Sequence, residues 1–455
     1  MRVTADRVVA MTILAGFLLL FSCSRGLPAG SSRQRQNTLD GGTQVSEDAG
    51  IFSEGGQDGG GAPVSGRVVA IGWGRGAPGR TVVIAGQQTV TDGNGGFAFA
   101  EVPNTYDAIV AEPYGTQISV YYGLTRRDPI LSHTATYTSA LDDPPHTATV
   151  SGTLSGDFPF PVDAYHLATV YFFADRGTST WSLGQPFESA GPGYGPVDVG
   201  WVGESSVAGI LVSIGQIWTE QRHWTSAYLA SGALALTDGG LASEDLSLST
   251  VPTGRIAGSV QMYAGNGVEG ILFSYHIPGT MGSISLDECT TSGNYDCELP
   301  DLGPLGGSYC ATIQDVFGYA QATRCDAGIG MTDFSIQVQA PPQFKTPVTG
   351  TPTAGDSKLT WAGVTNAVYL FDAGPDFATP AAPHVQAYTS ASQLRWPDLE
   401  AVGVSFPSGS TYTCQVSALV PYTSIDDLES SQGLAATGID RQQISSTTIA
   451  LPLVP

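Results

Sequence analysis

The chain has 455 residues, more than one β-sandwich needs, and suggests three or four domains of roughly 100–150 residues. Its 41 acidic residues against 18 basic ones give a net charge of −23, which excludes an electrostatic drive toward nucleic acid or anionic lipid headgroups. Fifty-eight glycines, 29 prolines and only 13% charged residues argue against a helical bundle or an α/β protein, and predict an all-β chain of short strands and tight turns.

Arg2 and Arg7 precede an apolar run from Val8 to Phe21, interrupted only by Thr12 and Gly16. The run is too short to span a bilayer comfortably, so residues 1–23 are expected to be a signal peptide. Its end, Leu20-Phe21-Ser22-Cys23, resembles the lipobox of bacterial lipoproteins, with Phe21 an atypical occupant. The resemblance implies acylation of Cys23 and the lipid bilayer as a partner; the alternative is a plain secretory signal with an incidental cysteine. Ser24, where an Asp would favour inner-membrane retention, implies an outer-membrane lipoprotein on the cell surface or the periplasmic face. Removing Arg2, Asp6 and Arg7 with the leader leaves 16 basic and 40 acidic residues, a net −24.

Residues 24–62 carry Gly41-Gly42, Gly55-Gly56 and Gly59-Gly60-Gly61 among Ser, Gln and Asp, with little apolar surface to bury. They are expected to be a disordered tether with a reach of about 35 Å.

From Pro63 the short alternating runs Val64–Val69 and Thr81–Ile84 lead to Thr91-Asp92-Gly93-Asn94-Gly95-Gly96-Phe97, then Val102-Pro103 and Tyr106–Val110. The Asp92–Gly96 stretch supplies the residues that tolerate positive φ in a hairpin turn. This order, over about residues 64–112, resembles the carboxypeptidase regulatory-like, transthyretin-type β-sandwich. It implies such a domain over 63–140, an accessory fold without zinc ligands, and so no peptidase activity. The element order recurs over 251–340, with Tyr295 in the place of Phe97, Pro300 in that of Pro103 and Tyr309 in that of Tyr106. Between them, residues 141–250 give a similar strand series without the glycine turn, a divergent β-sandwich whose place in the repeat stays open.

Residues 341–455 change pattern, with Leu359-Thr360-Trp361, Tyr369-Leu370-Phe371, Leu394-Arg395-Trp396 and Thr411 to Ala418. This stretch resembles fibronectin type III, which implies that Trp361 packs in the core and that Tyr412 makes the tyrosine corner. The chain departs from that family at Glu400 to Pro407, where a short connection is replaced by several extra residues.

With Cys23 set aside, Cys289, Cys297, Cys310 and Cys325 cluster in one domain, and an exported chain favours two disulfides. Three connectivities are open; Cys289–Cys297 and Cys310–Cys325 are preferred, each across a turn between neighbouring strands. The spacings of eight, thirteen and fifteen residues do not suit a zinc knuckle. Cys414 alternates with Tyr412 and Val416 and is expected to be an inert buried thiol.

No metal or cofactor is implied. Gly265-Asn266-Gly267-Val268-Glu269-Gly270 matches the dinucleotide fingerprint in letters only, because the following Ile271–Tyr275 reads as a strand rather than a helix. Asp92–Gly96 lacks the later Glu of a calcium loop, and the six histidines are scattered. Trp73, flanked by glycines in Gly72-Trp73-Gly74-Arg75-Gly76, is the candidate binding aromatic; Tyr121-Tyr122 and His223-Trp224 are weaker candidates. The expected function is a non-enzymatic, lipid-anchored envelope protein whose sandwiches bind or adhere to an envelope protein or polysaccharide. Two alternatives are a glycan or peptide hydrolase using Asp157, Asp163, Asp175 and Glu188, and a structural spacer in a surface assembly.

Overall fold

Short apolar alternations bounded by Gly, Pro and Asn produce 32 strands among the described residues and very little helix. A computed structural model of the chain describes residues 61–70, 76–113, 116–134, 146–160, 166–174, 181–182, 187–188, 192–202, 205–218, 224–263, 267–280, 283–289, 293–316, 319–351, 353–354, 357–375, 382–397, 399–431, 433–434, 439–446 and 448–454. The leader, Cys23, most of the tether and Trp73 lie outside them.

The first sandwich comprises β1 (Ala62–Ala70), β2 (Thr81–Ile84), β3 (Gln87–Val90), β4 (Gly96–Val102), β5 (Tyr106–Ala111), β6 (Gln117–Leu124) and β7 (Ile130–His133). One sheet runs β4-β1-β7, with β1 and β7 parallel; the other runs β3-β2-β5-β6. The glycine turn leads into β4, where Asp92 Oδ1 accepts the N–H groups of Asn94 (2.8 Å) and Gly96 (2.7 Å). Gly95 there has φ +77°, and a Cβ on it would meet the Val68 carbonyl oxygen at 2.4 Å, so no other residue fits.

The second sandwich contains β8 (His146–Gly156), β9 (His166–Ala174), β10 (Trp181–Ser182), β11 (Phe187–Glu188), β12 (Gly193–Val202), β13 (Ser206–Trp218), β14 (Trp224–Thr237), β15 (Leu241–Ser243) and β16 (Leu246–Val251). The third contains β17 (Thr253–Gln261), β18 (Val268–His276), β19 (Ser283–Cys289), β20 (Asn294–Pro300), β21 (Ser308–Asp315), β22 (Ala320–Ala327) and β23 (Ile336–Gln337). Its sheets run β20-β17-β23 and β19-β18-β21-β22, the strand order of the first sandwich.

The second sandwich follows the same plan. Its opening strand β8 lies between the antiparallel β12 and the parallel β15, while β11-β9-β13-β14 forms the opposing layer and β16 bridges β14 to β8. Residues 146–251 therefore repeat the topology of their neighbours although they lack the glycine turn.

The fourth sandwich is built from β24 (Phe344–Thr346), β25 (Thr353–Ala354), β26 (Lys358–Trp361), β27 (Val368–Pro375), β28 (His384–Thr389), β29 (Gln393–Arg395), β30 (Thr411–Val420), β31 (Arg441–Ser445) and β32 (Ile449–Val454), with one short helix, α1 (Ile425–Leu428). Its layers are β24-β26-β29 and β28-β27-β30, the latter continued by β31 and β32. Trp361 is 1% exposed and packs edge-to-face on Tyr369 in the core. Tyr412 is buried against Trp396 and Phe406, but its hydroxyl has no hydrogen-bond partner, so the expected tyrosine-corner bond is not made. The ring acts here as an apolar filler.

The sandwiches are not beads on a string. Strand β28 pairs in parallel with β6, and β31 pairs antiparallel with β22, so one sheet crosses the first, fourth and third sandwiches without a break. One apolar cluster accordingly contains Ile118 and Val120 of the first sandwich, Phe273 and Tyr295 of the third, and Trp361 and Tyr412 of the fourth. It also takes in Phe173, Val212 and Leu229 from the outer face of the second sandwich, whose interior forms a cluster of its own around Phe172 and Trp201. All the described residues fall within a single compact unit, residues 59–455.

Candidate functional site

Among the described residues, buried polar groups gather where β6 meets β28. Their register places Gln117 beside His384, Ile118 beside Val385, Ser119 beside Gln386, Val120 beside Ala387 and Tyr121 beside Tyr388. Neighbours across a sheet share a face. Ser119 and Tyr121 point into the first sandwich, where Ser119 Oγ lies 2.9 Å from His133 Nδ1 and the Tyr121 hydroxyl donates to the Ser132 carbonyl. Val385 and Ala387 point the opposite way, into the core of the fourth. The sheet thus passes from one sandwich to the other with inside and outside exchanged.

That exchange leaves an outer sheet face of each sandwich to be covered. On the first sandwich the apolar outer face includes Val83, Ile109, Ile118 and Val120. A single helical turn at Glu400–Val402 lies against β2 there, and Leu399, Val402, Val404 and Phe406 join the same cluster. The extra residues that part from the fibronectin pattern are therefore an inter-sandwich cover. On the opposite face α1 packs near β6, with Ile425 and Leu428 buried. Asp426 Oδ1 accepts the N–H groups of Thr125 and Arg126, each at 2.9 Å. The Glu429 carbonyl accepts the Ile130 N–H at 2.8 Å and its carboxyl Oε2 the Ser132 N–H at 2.7 Å.

Nearer the surface, His384 Nε2 lies 2.9 Å from Asp372 Oδ1 and Nδ1 lies 2.7 Å from Gln117 Oε1. Gln386 donates to Asp372 Oδ2 at 3.0 Å and accepts from the Thr134 hydroxyl at 2.7 Å. Burial opposes both charges, but the pairing outweighs it, holding Asp372 below its ordinary range and His384 above its own. About a quarter of each of these two side chains, 24% and 23%, remains exposed.

Ser119 with His133 has the letters of a nucleophile and base, yet both are 0% exposed. Burial, then the nearby Arg80, holds His133 down to about 3, and its Nε2 has no partner to orient it. No substrate reaches this pair, and it is a structural contact. Tyr121, singled out as a display ring, is instead fully buried and stacked on Tyr388 with centroids 5.0 Å apart; Tyr122 is half-buried against the core.

The remaining sequence candidates are not brought together. Asp163 and Asp175 lie outside the described residues, as do His223 and the side chains of Glu188 and Trp224; Asp157 is exposed. Among the described residues no three His, Cys, Asp or Glu side chains are placed to hold a metal ion. Cys414 is a free, fully buried thiol, pushed up by burial. Cys289 is bonded to Cys297 and Cys310 to Cys325. The second bond joins adjacent strands of one sheet, but the first connects β19 and β20, which belong to opposite layers, so it staples the sandwich rather than a strand pair.

The seam carried one unread sequence signal. Ala108–Ala111, Ile118–Tyr121 and Val368–Phe371 run apolar or small on both faces instead of alternating, which means both faces are covered.

No family model matches the chain, and no curated protein matches it in sequence. Among solved structures, a leucine-rich repeat protein from Bacteroides thetaiotaomicron is 12% identical, with a TM-score of 0.14, over 41% of this chain and 23% of that one. The Bacillus anthracis TIE protein is 10% identical, with a TM-score of 0.14, over 62% and 51%. A Streptococcal ancillary pilin is 9% identical, with a TM-score of 0.15, over 61% and 98%. The chain thus spans less than two thirds of the first two, and superpositions this weak carry no functional assignment.

Proposed function

We propose that the protein is a lipid-anchored envelope protein, non-enzymatic, held to the outer membrane through Cys23 and a tether over 24–62, and presenting a fused β-body that binds an envelope protein or polysaccharide. One observation carries the non-enzymatic reading: the most reaction-like side-chain pair among the described residues, Ser119 with His133, is sealed in the interior at 0% exposure. The all-β, multi-sheet architecture also suits a body whose loops and strand edges, rather than a cleft, make contact. Within this reading, 63–140, 141–250 and 251–340 are repeats of the carboxypeptidase regulatory-like sandwich, supported by their common strand order. Residues 341–455 form the fibronectin type III-like domain, supported by the layers β24-β26-β29 and β28-β27-β30. Trp73 is the ring proposed to meet the partner.

Protease treatment of intact cells tests the placement, with Cys23→Ala as control. Loss of the wild-type protein from intact cells puts the body outside and directs the search to external polymers. Survival until the outer membrane is breached turns it to periplasmic partners such as peptidoglycan. Unchanged fractionation of the Cys23→Ala variant with the membrane would overturn the anchor.

A further inference from the structure

Among the described residues, Glu429 is the one carboxylate at the first–fourth seam whose side chain is wholly buried, at 0% exposure. It sits at the end of α1, and two of its atoms, the carbonyl oxygen and Oε2, take the N–H groups of Ile130 and Ser132 in β7. Its other carboxyl oxygen, Oε1, has no hydrogen-bond partner. The titratable groups around it are Tyr121 from β6, Tyr388 from β28 and Tyr422 from its own loop. Arg441 of β31 acts on Tyr422 rather than on Glu429, and Asp426, three residues earlier, is engaged with Thr125 and Arg126. Beyond Ser132, His133 lies buried beside Arg80. Among the described residues no cation acts on Glu429, and a buried carboxylate with one oxygen unpartnered is unfavourable.

We propose that Glu429 is a proton-operated pin: with its proton in place it locks the loop of residues 421–434 onto β7 and holds the fourth sandwich on the first, and loss of the proton releases that loop. The environment agrees, since burial pushes Glu429 up to about 8 against the pull of the Ser132 contacts. The sign follows from linkage. The closed seam binds the proton more tightly than the open one, where the carboxyl returns to its ordinary value of 4.5. Closure is therefore complete below about 4.5, weakens as pH rises toward about 8, and changes no further above it. The device belongs to the fold and holds whichever partner the body binds.

The test is amide hydrogen exchange on the full mature chain between pH 5 and 7.5, read at Ile130 and Ser132 as protection factors corrected for the intrinsic rate. Wild-type protection is expected to fall by up to about tenfold per pH unit. Glu429→Gln, which keeps an acceptor but cannot ionise, should flatten the slope. Asp426→Asn, which cuts a different contact of the same loop, should lower protection at every pH and keep the slope. A flat wild-type profile, or an unchanged slope in Glu429→Gln, overturns the pin. If Glu429→Gln does not fold, glutamate 13Cδ resonances of the wild type decide: one must still be titrating near pH 8, and its absence refutes the proposal.

Discussion

The fourth sandwich is joined to its neighbours by two seams that solve the same problem in opposite ways. At β22–β31 the strands are antiparallel and in phase: Ala320 lies beside Ile444 and both belong to the shared apolar cluster, so the core of the third sandwich runs into that of the fourth on one face. At β6–β28 they are parallel and out of phase, and the interior residue Tyr121 lies beside the outward-facing Tyr388. An in-phase seam is closed by main-chain bonds, apolar residues on one shared face and two side-chain bonds, Cys325 N–H to Asp440 and Gln442 to the Gln337 carbonyl, with no covering segment. An out-of-phase seam exposes two outer faces, and the chain covers them with the Glu400–Pro407 stretch on one side and the α1 loop on the other. The lesson is that phase, rather than strand direction, decides how much extra chain an edge-to-edge joint requires.

The comparison is broken most severely by removing residues 341–455. The first sandwich then loses its partner strand and the cover over Val83 and Ile118, while the third loses only an edge neighbour. Cooperative unfolding of residues 62–134 should disappear, whereas the disulfide-stapled third sandwich persists; hydrogen exchange resolved by peptide would show which does. A first sandwich that keeps its protection would mean that the covers are dispensable.

Tyr388→Ala should come next, at about 3–4 kcal/mol, as expected for deletion of a fully buried ring. Urea unfolding at fixed pH measures it, and a loss below about 1 kcal/mol would show that the stacked pair merely fills space.

His384→Gln should cost less, about 1 kcal/mol, because the Asp372–His384 pair is partly solvated. Its pH signature is distinct. The His384 contribution is full below its ordinary value of 6.5 and is lost as pH rises through its elevated value; the Asp372 contribution is present above its ordinary value of 3.8 and is lost as pH falls through its depressed one. The difference in melting temperature between wild type and variant should therefore be greatest between about pH 4 and 6.5 and shrink on the alkaline side. A difference that grows above pH 8 would contradict the pairing.

The smallest effect belongs to the in-phase seam. Gln443→Ala, in a strand that main-chain bonds hold between β22 and β30, should stay within about 0.5 kcal/mol. A larger cost there would erase the distinction between the two joints.

Much of each sandwich was legible in the chain because its signals are local. The Asp92–Gly96 turn, the strand that follows it and the buried Trp361 can all be read within a few residues, and the cysteine pairing is the preferred one of three, although Cys289–Cys297 joins opposite layers rather than neighbouring strands. The seams were not legible, because an edge strand's sequence says that it is covered without saying by what. Ile118–Tyr121 carries apolar and small residues on both faces, but nothing in those residues names Val385–Tyr388, more than 250 residues away. The extra residues after Glu400 registered as a misfit to a pattern, and their purpose emerged only once the outer face of β2 was seen beneath them. Tyr412 shows the opposite failure: a familiar position held the expected ring while its hydroxyl found no partner.

The pairing of β6 with β28 also has a temporal consequence. Gln117 and His384 are 267 residues apart in sequence, so the strand that pairs with β6 is synthesised long after it. Long-range pairing of this kind is slow, because loop closure must come before its reward. Until the C-terminal quarter arrives, β6 presents a bare edge with apolar residues on both faces, the kind of surface that invites pairing with the wrong chain. The first sandwich thus waits for a partner strand made long after its own, and an escort that shields β6 during that interval should raise the yield of native protein.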